Sequence, residues 1–343
     1  IIFCFSLIIG TGNAQPIQWT SSGIGAGGAL SNPSINPNNP NELFVSSERN
    51  SVFHTTNLGD TWNTLDFRTI QSGIFTGKVL YTTDPNTLYS LKNIYDFFTI
   101  PTKSTNGGIT WEPLQFDPTD GEAYSLNVNF NDPDFILISD YTSIYVSTNG
   151  GQTFSLKYGG PNSPPCHVAG VFFDGSLIYI GTNLGLVYSQ NGGSSFSLVP
   201  YSGIQAGEAM VSFAGAKQGA TTRLFCTTLN DLAVYPGITS ADFAGFIGVY
   251  TLDIGQAGWV YKITGISAAD YPFYISTSPN NINIAYLAGG NEVGTPVVYR
   301  TTNAGTSWSK TFFPTNNTNI ATGWQGFSGD KDWTFSGYCT GID

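Results

Sequence analysis

Acidic residues set beside aromatic rings are the positions of this chain best suited to chemistry. Glu48 follows the strand-like run Leu43–Ser47 and precedes Arg49, and Asp330 and Asp332 flank Lys331 with Trp324 and Trp333 close by. Carboxylates with stacking rings suit a sugar, because one acid can protonate a glycosidic oxygen while another activates water. The two histidines, His54 and His167, are the other bases available near neutral pH. No Ser/His/Asp motif, phosphate-binding glycine loop or EF-hand pattern is present. Apart from Cys4, which falls in the leader-like start of the chain, the cysteines are Cys166, Cys226 and Cys339. Their spacing forms no zinc signature. They read as buried free thiols, with one disulfide as the alternative open to an exported protein, and no metal or cofactor is expected.

The elements that must position these groups announce themselves through a repeat. Six segments follow the pattern Ser/Thr-x-Asn/Asp-x-Gly-x-x-Trp/Phe: Thr55–Trp62, Ser104–Trp111, Ser147–Phe154, Ser189–Phe196, Thr251–Trp259 with one extra residue, and Thr301–Trp308. The Asn or Asp side chain can bond the backbone just ahead of it, and the glycine takes a backbone angle that other residues resist. The closing ring then begins a strand and buries a large apolar face.

Successive Asn/Asp positions are 49, 43, 42, 62 and 50 residues apart. A period near that of four short strands predicts the blades of a β-propeller rather than a helical solenoid. In the third unit Ala123–Phe130, Phe135–Asp140, Ser143–Thr148 and Thr153–Tyr158 are four such runs, rich in β-branched and aromatic residues. The fourth unit repeats the plan with Val168–Phe173, Ser176–Gly181, Gly185–Gln190 and Ser195–Pro200. No stretch of helical period is sustained, so the chain reads as all-β.

These turns resemble the Asp-box, or BNR, repeat, found in a broad propeller group that includes sialidases, sortilin-like receptors, xyloglucanases and photosystem assembly factors. Five of the six carry Asn where that group prefers Asp. The resemblance implies a folding role for the turn, away from any site. The segment from Asn36 to Trp62 further resembles the first blade of tandem-propeller xyloglucanases, and this implies a catalytic acid near Glu48. In that family Asp fills the position, and the partner acid comes from a second propeller. A sialidase needs an arginine triad and an Arg-Ile-Pro-like signature; Arg49, Arg68, Arg223 and Arg300 are present without the signature.

Residues 1–9 are apolar and end in a small-residue stretch to Ala14, which reads as the remnant of a secretory signal peptide, too short to span a bilayer. Residues 15–343 then form the propeller: six four-stranded blades plus the start of a seventh, opening at Gly326. The chain accordingly reads as a fragment, incomplete at its C-terminus. Trp19 lies in a strand expected to complete the last blade. Twelve basic against 23 acidic residues give a net charge of −11. That charge argues against nucleic acid or an anionic membrane as partner. The protein is expected to be secreted or held at the cell surface.

Ligands of such a ring are expected over its axis, on the loops joining second to third strands and fourth strands to the next blade. The repeated turns occupy the opposite face. This sorting places Glu48, Asp96, Asp117, Asp120, Glu122, Asp140, Glu208, Asp231, Asp242, Asp270, Glu292, Asp330 and Asp332 on the ligand face. Tyr95, Tyr141, Tyr201, Tyr271, Trp324 and Trp333 join them as stacking platforms. Two function classes follow. One is a glycan hydrolase using Glu48 with Asp330 or Asp332; the other is a non-catalytic propeller that binds glycan or protein. His167, also on this face, would supply a base for lyase chemistry.

Overall fold

The computed structural model describes residues 19–20, 30–47, 51–72, 77–94, 98–160, 162–200, 202–230, 245–292, 296–312, 320–321, 339 and 342–343. After β1 (Trp19–Thr20), the chain forms a succession of antiparallel meanders. Blade one is β2 (Leu30–Asn36), β3 (Asn39–Ser47), β4 (Val52–Thr55) and β5 (Asn63–Thr64). Blade two is β6 (Leu88–Ile94), β7 (Phe98–Ser104) and β8 (Glu112–Pro113), and its innermost strand is reduced to a bridge between Leu80 and Tyr89. Blade three is β9 (Ser125–Asn129), β10 (Asp132–Ser139), β11 (Ser143–Ser147) and β12 (Ser155–Gly159). Blade four is β13 (Val168–Asp174), β14 (Leu177–Thr182), β15 (Gly185–Ser189) and β16 (Ser197–Val199).

Blade five is β17 (Glu208–Gln218), β18 (Thr221–Asn230), β19 (Phe246–Asp253) and β20 (Val260–Tyr261). Blade six is β21 (Asp270–Thr277), β22 (Ala285–Asn291), β23 (Pro296–Thr301) and β24 (Ser309–Phe312). β25 (Ile320–Ala321) pairs in parallel with β1. The architecture is a six-bladed all-β propeller, and no α-helix occurs among the described residues. The expected opening of a seventh blade at Gly326 falls outside those residues.

Second strands are apolar without alternation because both of their faces are covered. Phe135, Ile136, Leu137, Ile138 and Ser139 of β10 are all buried, as are the last five residues of β14. Phe135 and Leu137 point into a core shared with Cys166, Val168, Ile178, Ile180 and Val187 of blade four. Ile136 and Ile138 point the other way, towards Tyr89 and Leu91 of blade two. The same arrangement continues around the ring, with Tyr179, Met210 and Trp259 joining blades four and five, and Phe225, Leu287 and Trp308 joining five and six. Outermost strands meet water on one side, so β12 and β16 are largely exposed.

Every repeated turn joins a third strand to a fourth strand. In the second blade's turn, Ser104 Oγ donates to Asn106 Oδ1 (3.0 Å), and the Gly108 amide donates back to Ser104 Oγ (2.9 Å). Asn106 Oδ1 also accepts the Thr110 amide (2.9 Å), while Asn106 Nδ2 donates to Thr110 Oγ1 (2.9 Å). Asn57, Asn149, Asn191 and Asn303 repeat this set. A carboxylate could accept where the Asn nitrogen donates, because the partner there is a hydroxyl.

A further bond ties each turn to its own second strand: the amide after the Asn or Asp donates to a carbonyl near that strand's start. The pairs are Leu58 to Asn41, Gly107 to Asn86, Gly150 to Asp134, Gly192 to Ser176, Ile254 to Thr222, and Ala304 to Asn283, at 2.9–3.1 Å. The fifth turn otherwise departs from the plan. Asp253 makes a two-pronged ion pair with Arg223 of β18, at 2.5 and 2.7 Å. The longer loop thus spends its carboxylate across the sheet.

The turns also seat one blade on the next. A Cβ on Gly108 would lie 2.8 Å from the Phe44 ring of blade one, and a Cβ on Gly193 would lie 2.5 Å from the Phe135 ring of blade three. Trp111 is 2% exposed, packs with Phe44, Val52 and Ile70, and donates from Nε1 to the Gly108 carbonyl (3.0 Å). Between blade six and blade one, Cys339 and Ile342 cover Ala288, Val298 and Phe312. The Cys339 amide donates to Gly289 O (3.0 Å), and Asp343 accepts from the Ile35 amide (2.7 Å) and from Lys78. Cys166, Cys226 and Cys339 are free thiols.

Two stability measurements test this packing. Trp111→Ala should destabilise the protein by about 3–5 kcal/mol, read from denaturant midpoints, with ligand binding by the folded fraction unchanged; a near-neutral effect would show the ring to be dispensable. Gly175 shares a positive φ (63°) with Gly108 (86°) but has open space beside it. Gly175→Ala should therefore cost about 1 kcal/mol from backbone strain alone, and Gly108→Ala about 1–3 kcal/mol more from the collision with Phe44. Equal losses would remove the contact from the account.

Candidate functional site

Because each blade is a meander, the loops joining second to third strands and blade to blade emerge opposite the repeated turns. The described part of this face is most complete over blades one to four. The connection from blade one to blade two lies along the end of β6: Lys92 Nζ donates to the carbonyls of Arg68 (3.2 Å) and Thr69 (2.9 Å), and the Asn93 amide to Gln71 O (2.8 Å). It carries Phe67 outward, 65% exposed, beside an ion pair between Asp66 and Arg68.

Across β7 the next connection is fastened just as tightly. The Thr99 amide donates to Gly121 O (2.8 Å) and the Ala123 amide to Thr99 O (3.2 Å). Phe98 rests on Gly121, where a Cβ would meet its ring at 2.7 Å. The loop folds because Asp117 organises it, accepting from Thr119 N (2.9 Å), Thr119 Oγ1 (2.6 Å) and Gly121 N (3.1 Å). Phe98 and Phe116 remain 52% and 49% exposed.

Blade three contributes Tyr141, which is 37% exposed; Tyr271, the other predicted platform among the described residues, is half-buried in β21 of blade six. Its loop is shaped by Asp140, whose Oδ1 accepts the amides of Thr142 (2.7 Å) and Ser143 (2.6 Å). Tyr141 stacks on Tyr124 (centroids 5.3 Å apart), and Tyr124 stacks on His167 (5.5 Å). Tyr124 donates to Cys166 O (3.3 Å) and accepts the Val168 amide. His167 is held through its backbone by Asn183, whose Oδ1 accepts the His167 amide (2.6 Å) and whose own amide donates to His167 O (3.2 Å).

Burial governs the titration of this cluster. It raises the Tyr141 and Tyr124 phenols, the former with help from the charge of Glu122, and pushes the Cys166 thiol up to about 11. It also lowers His167 to about 4, so the imidazole is neutral at physiological pH, with Nδ1 shielded from solvent.

Two acids assigned to the ligand face by sequence are instead interior. Glu208 accepts from Tyr250 Oη (3.0 Å to each oxygen) and Thr228 Oγ1 (2.6 Å), and it is buried. Asp270 is buried against Tyr299 and pairs with Lys310 Nζ at 2.5 Å. Both stand at the first residue of an inner strand, where a carboxylate can reach a tyrosine of the third strand. Asp120, Glu122 and Glu292 are exposed. Glu48, Asp330, Asp332, Tyr95, Tyr201, Trp324 and Trp333 lie outside the described residues, as do Asp96, Asp231 and Asp242. Phe67, Phe98 and Phe116 did not stand out in the sequence, since an exposed phenylalanine reads like a core one. Among the described residues no group of three or more His, Cys, Asp or Glu side chains could hold a metal ion, and no helix is long and apolar enough to cross a membrane.

No protein-family model and no curated protein matches the sequence. Solved structures do resemble it. An ancestral GH74 enzyme superposes with a TM-score of 0.63 at 17% identity, over 85% of this chain and 39% of that one. The GH74 xyloglucanase from Xanthomonas campestris gives 0.62 at 15% identity, over 85% and 46%. YCF48 bound to D1 peptide gives 0.55 at 13% identity, over 87% and 85%. At these identities the likeness is one of fold. The chain spans less than half the length of either GH74 enzyme.

The buried imidazole carries a pH signature. An unfolded chain protonates this histidine near pH 6.5, the folded one only near pH 4. The unfolded state therefore binds more protons in that window, and stability falls as the pH falls through it, by up to about 3 kcal/mol. His167→Gln should lose less stability between pH 7 and 4.5 than the parent protein, measured by urea unfolding. Equal losses would place the ring in water.

Proposed function

We propose that this protein is exported and engages polysaccharide on the face opposite its repeated turns. Hydrolysis there would use Glu48 with Asp330 or Asp332. The repeated turns act as Asp-boxes, fixing blade against blade and taking no part in binding. The observation that carries the reading is the Tyr141 platform: an aromatic ring presented to solvent, stiffened from behind by Tyr124 and His167, with the Glu122 carboxylate close enough to bias its titration. Sugars are bound by such pairings of a flat apolar ring and a hydrogen-bonding neighbour. The fold shared with xyloglucanases supports the same reading, and the apolar leader up to Ala14 supports export.

For hydrolysis the paired carboxyl groups should stand about 5–10 Å apart, the range covering retention and inversion. One of them should then titrate high, because two close carboxylates resist ionising together. A non-catalytic module is favoured by a different observation. Four described acids of this face are engaged within their own loops, as Asp117 and Asp140 are, or buried on tyrosine, as Glu208 and Asp270 are, while Asp120, Glu122 and Glu292 are exposed. That reading takes a glycan or a peptide as its ligand.

Turnover on xyloglucan and mixed-linkage β-glucan separates the two. Glu48→Gln should lower kcat by about 10²–10⁴-fold while leaving glycan retention intact. Undiminished turnover would remove Glu48 from the mechanism. Retention without turnover by the unsubstituted protein would establish the binding module.

A further inference from the structure

The loops of blades one to three are fastened edge to edge, and each carries an exposed ring. The chain of contacts runs from the Phe67 loop through Lys92 to β6, across to Phe98 on β7, and onto Gly121 and Glu122; Tyr141 stands within electrostatic reach of Glu122. Phe67, Phe98, Phe116 and Tyr141 are all on this face, and each is more than a third exposed. Outside it, among the described residues, Tyr261 is the other large aromatic side chain so exposed, and it lies on an outermost strand.

We infer that Phe67, Phe98, Phe116 and Tyr141 form a binding track that grips an extended, uncharged polysaccharide chain across blades one to three. The inference rests on the glycan reading above and goes further, assigning affinity for long chains to residues other than the acids. Three features select the occupant. The rings are separated by polar loop residues such as Asp117 and Asp120, so they offer spaced stacking platforms rather than the continuous apolar patch of a protein interface. The cations on the track are already engaged, Arg68 by Asp66 and Lys92 by backbone carbonyls, while Asp120 and Glu122 are exposed. A polyanionic chain would meet uncompensated negative charge there. Tyr141 belongs both to the track and to the platform proposed above, so a chain lying on the track reaches that platform.

Affinity electrophoresis in gels containing xyloglucan, mixed-linkage β-glucan or polygalacturonate tests this, with titration by a short β-glucan oligosaccharide alongside. Phe67→Ser and Phe116→Ser remove exposed rings, and unchanged thermal midpoints would show that both variants fold. Each should weaken retention by the neutral polymers by about 3- to 10-fold, more than it weakens binding of the oligosaccharide, and leave polygalacturonate unretained. Neutral-polymer retention equal to the parent's would overturn the track while leaving the glycan function standing. Retention of polygalacturonate as strong as that of the neutral polymers would overturn the choice of an uncharged occupant. Failure of the parent protein to bind any glycan, with ring-dependent binding of a peptide instead, would overturn both readings together.

Discussion

A four-stranded sheet that is apolar on both faces must be covered on both, and this requirement organises the whole molecule. Burying Phe135 and Leu137 on one side of β10 and Ile136 and Ile138 on the other obliges blade three to have two neighbours. Each neighbour carries the same obligation, and the succession ends only when the last blade is covered in turn. Here that cover comes from Cys339 and Ile342, with Asp343 reaching across to Ile35 and Lys78. A ring satisfies at once the demand that every sheet makes singly, and burial of apolar area is its dominant driving force.

Face-to-face packing leaves the two rims with different tasks. On one rim the repeated turns satisfy their own polar groups and present glycine to the neighbouring ring. On the opposite rim, connections such as those after Asp66 and Asp117 are braced on the neighbouring strands by a few backbone bonds. There the side chains are released from packing. Phe67, Phe98 and Phe116 can stand in water because Asp117, Lys92 and Gly121 have already paid for the shape of the loops beneath them. Rigidity inherited from the sheets is what makes exposed rings useful as platforms.

The architecture was legible in the sequence because its signal is local and repeated. A hydroxyl, an amide, a glycine and a large ring at fixed offsets specify a turn whose bonds run almost entirely within eight residues. The fifth copy shows the limit of that legibility. Its extra residue is visible, but Arg223, which redirects Asp253, lies thirty positions away on another strand. The acids were harder to place for a similar reason. Glu208 and Asp270 sit where a connection becomes an inner strand, and one residue of register decides between solvent and a tyrosine hydroxyl. Exposed phenylalanines were invisible, since Phe44 and Phe67 differ in the path of the chain around them and not in kind. The loop that carries Tyr141 was legible because Tyr141 and Thr142 mark a turn between two well-defined strands.

The bond from each turn to its own second strand bears on how the protein ages. Three of the turns contain an Asn-Gly pair, at Asn106, Asn149 and Asn191. In a flexible chain the glycine nitrogen attacks the asparagine side chain, forming a succinimide that opens to aspartate or to a kinked isoaspartyl link. Here the nitrogens of Gly107, Gly150 and Gly192 are committed to the carbonyls of Asn86, Asp134 and Ser176, and the asparagine amides are held at both ends by hydroxyls and backbone. The geometry that fixes the hairpin thereby withholds the nucleophile from its electrophile. Deamidation of the ring then has to wait for local opening of a turn, and the chemical lifetime of these asparagines becomes a readout of how often each blade breathes.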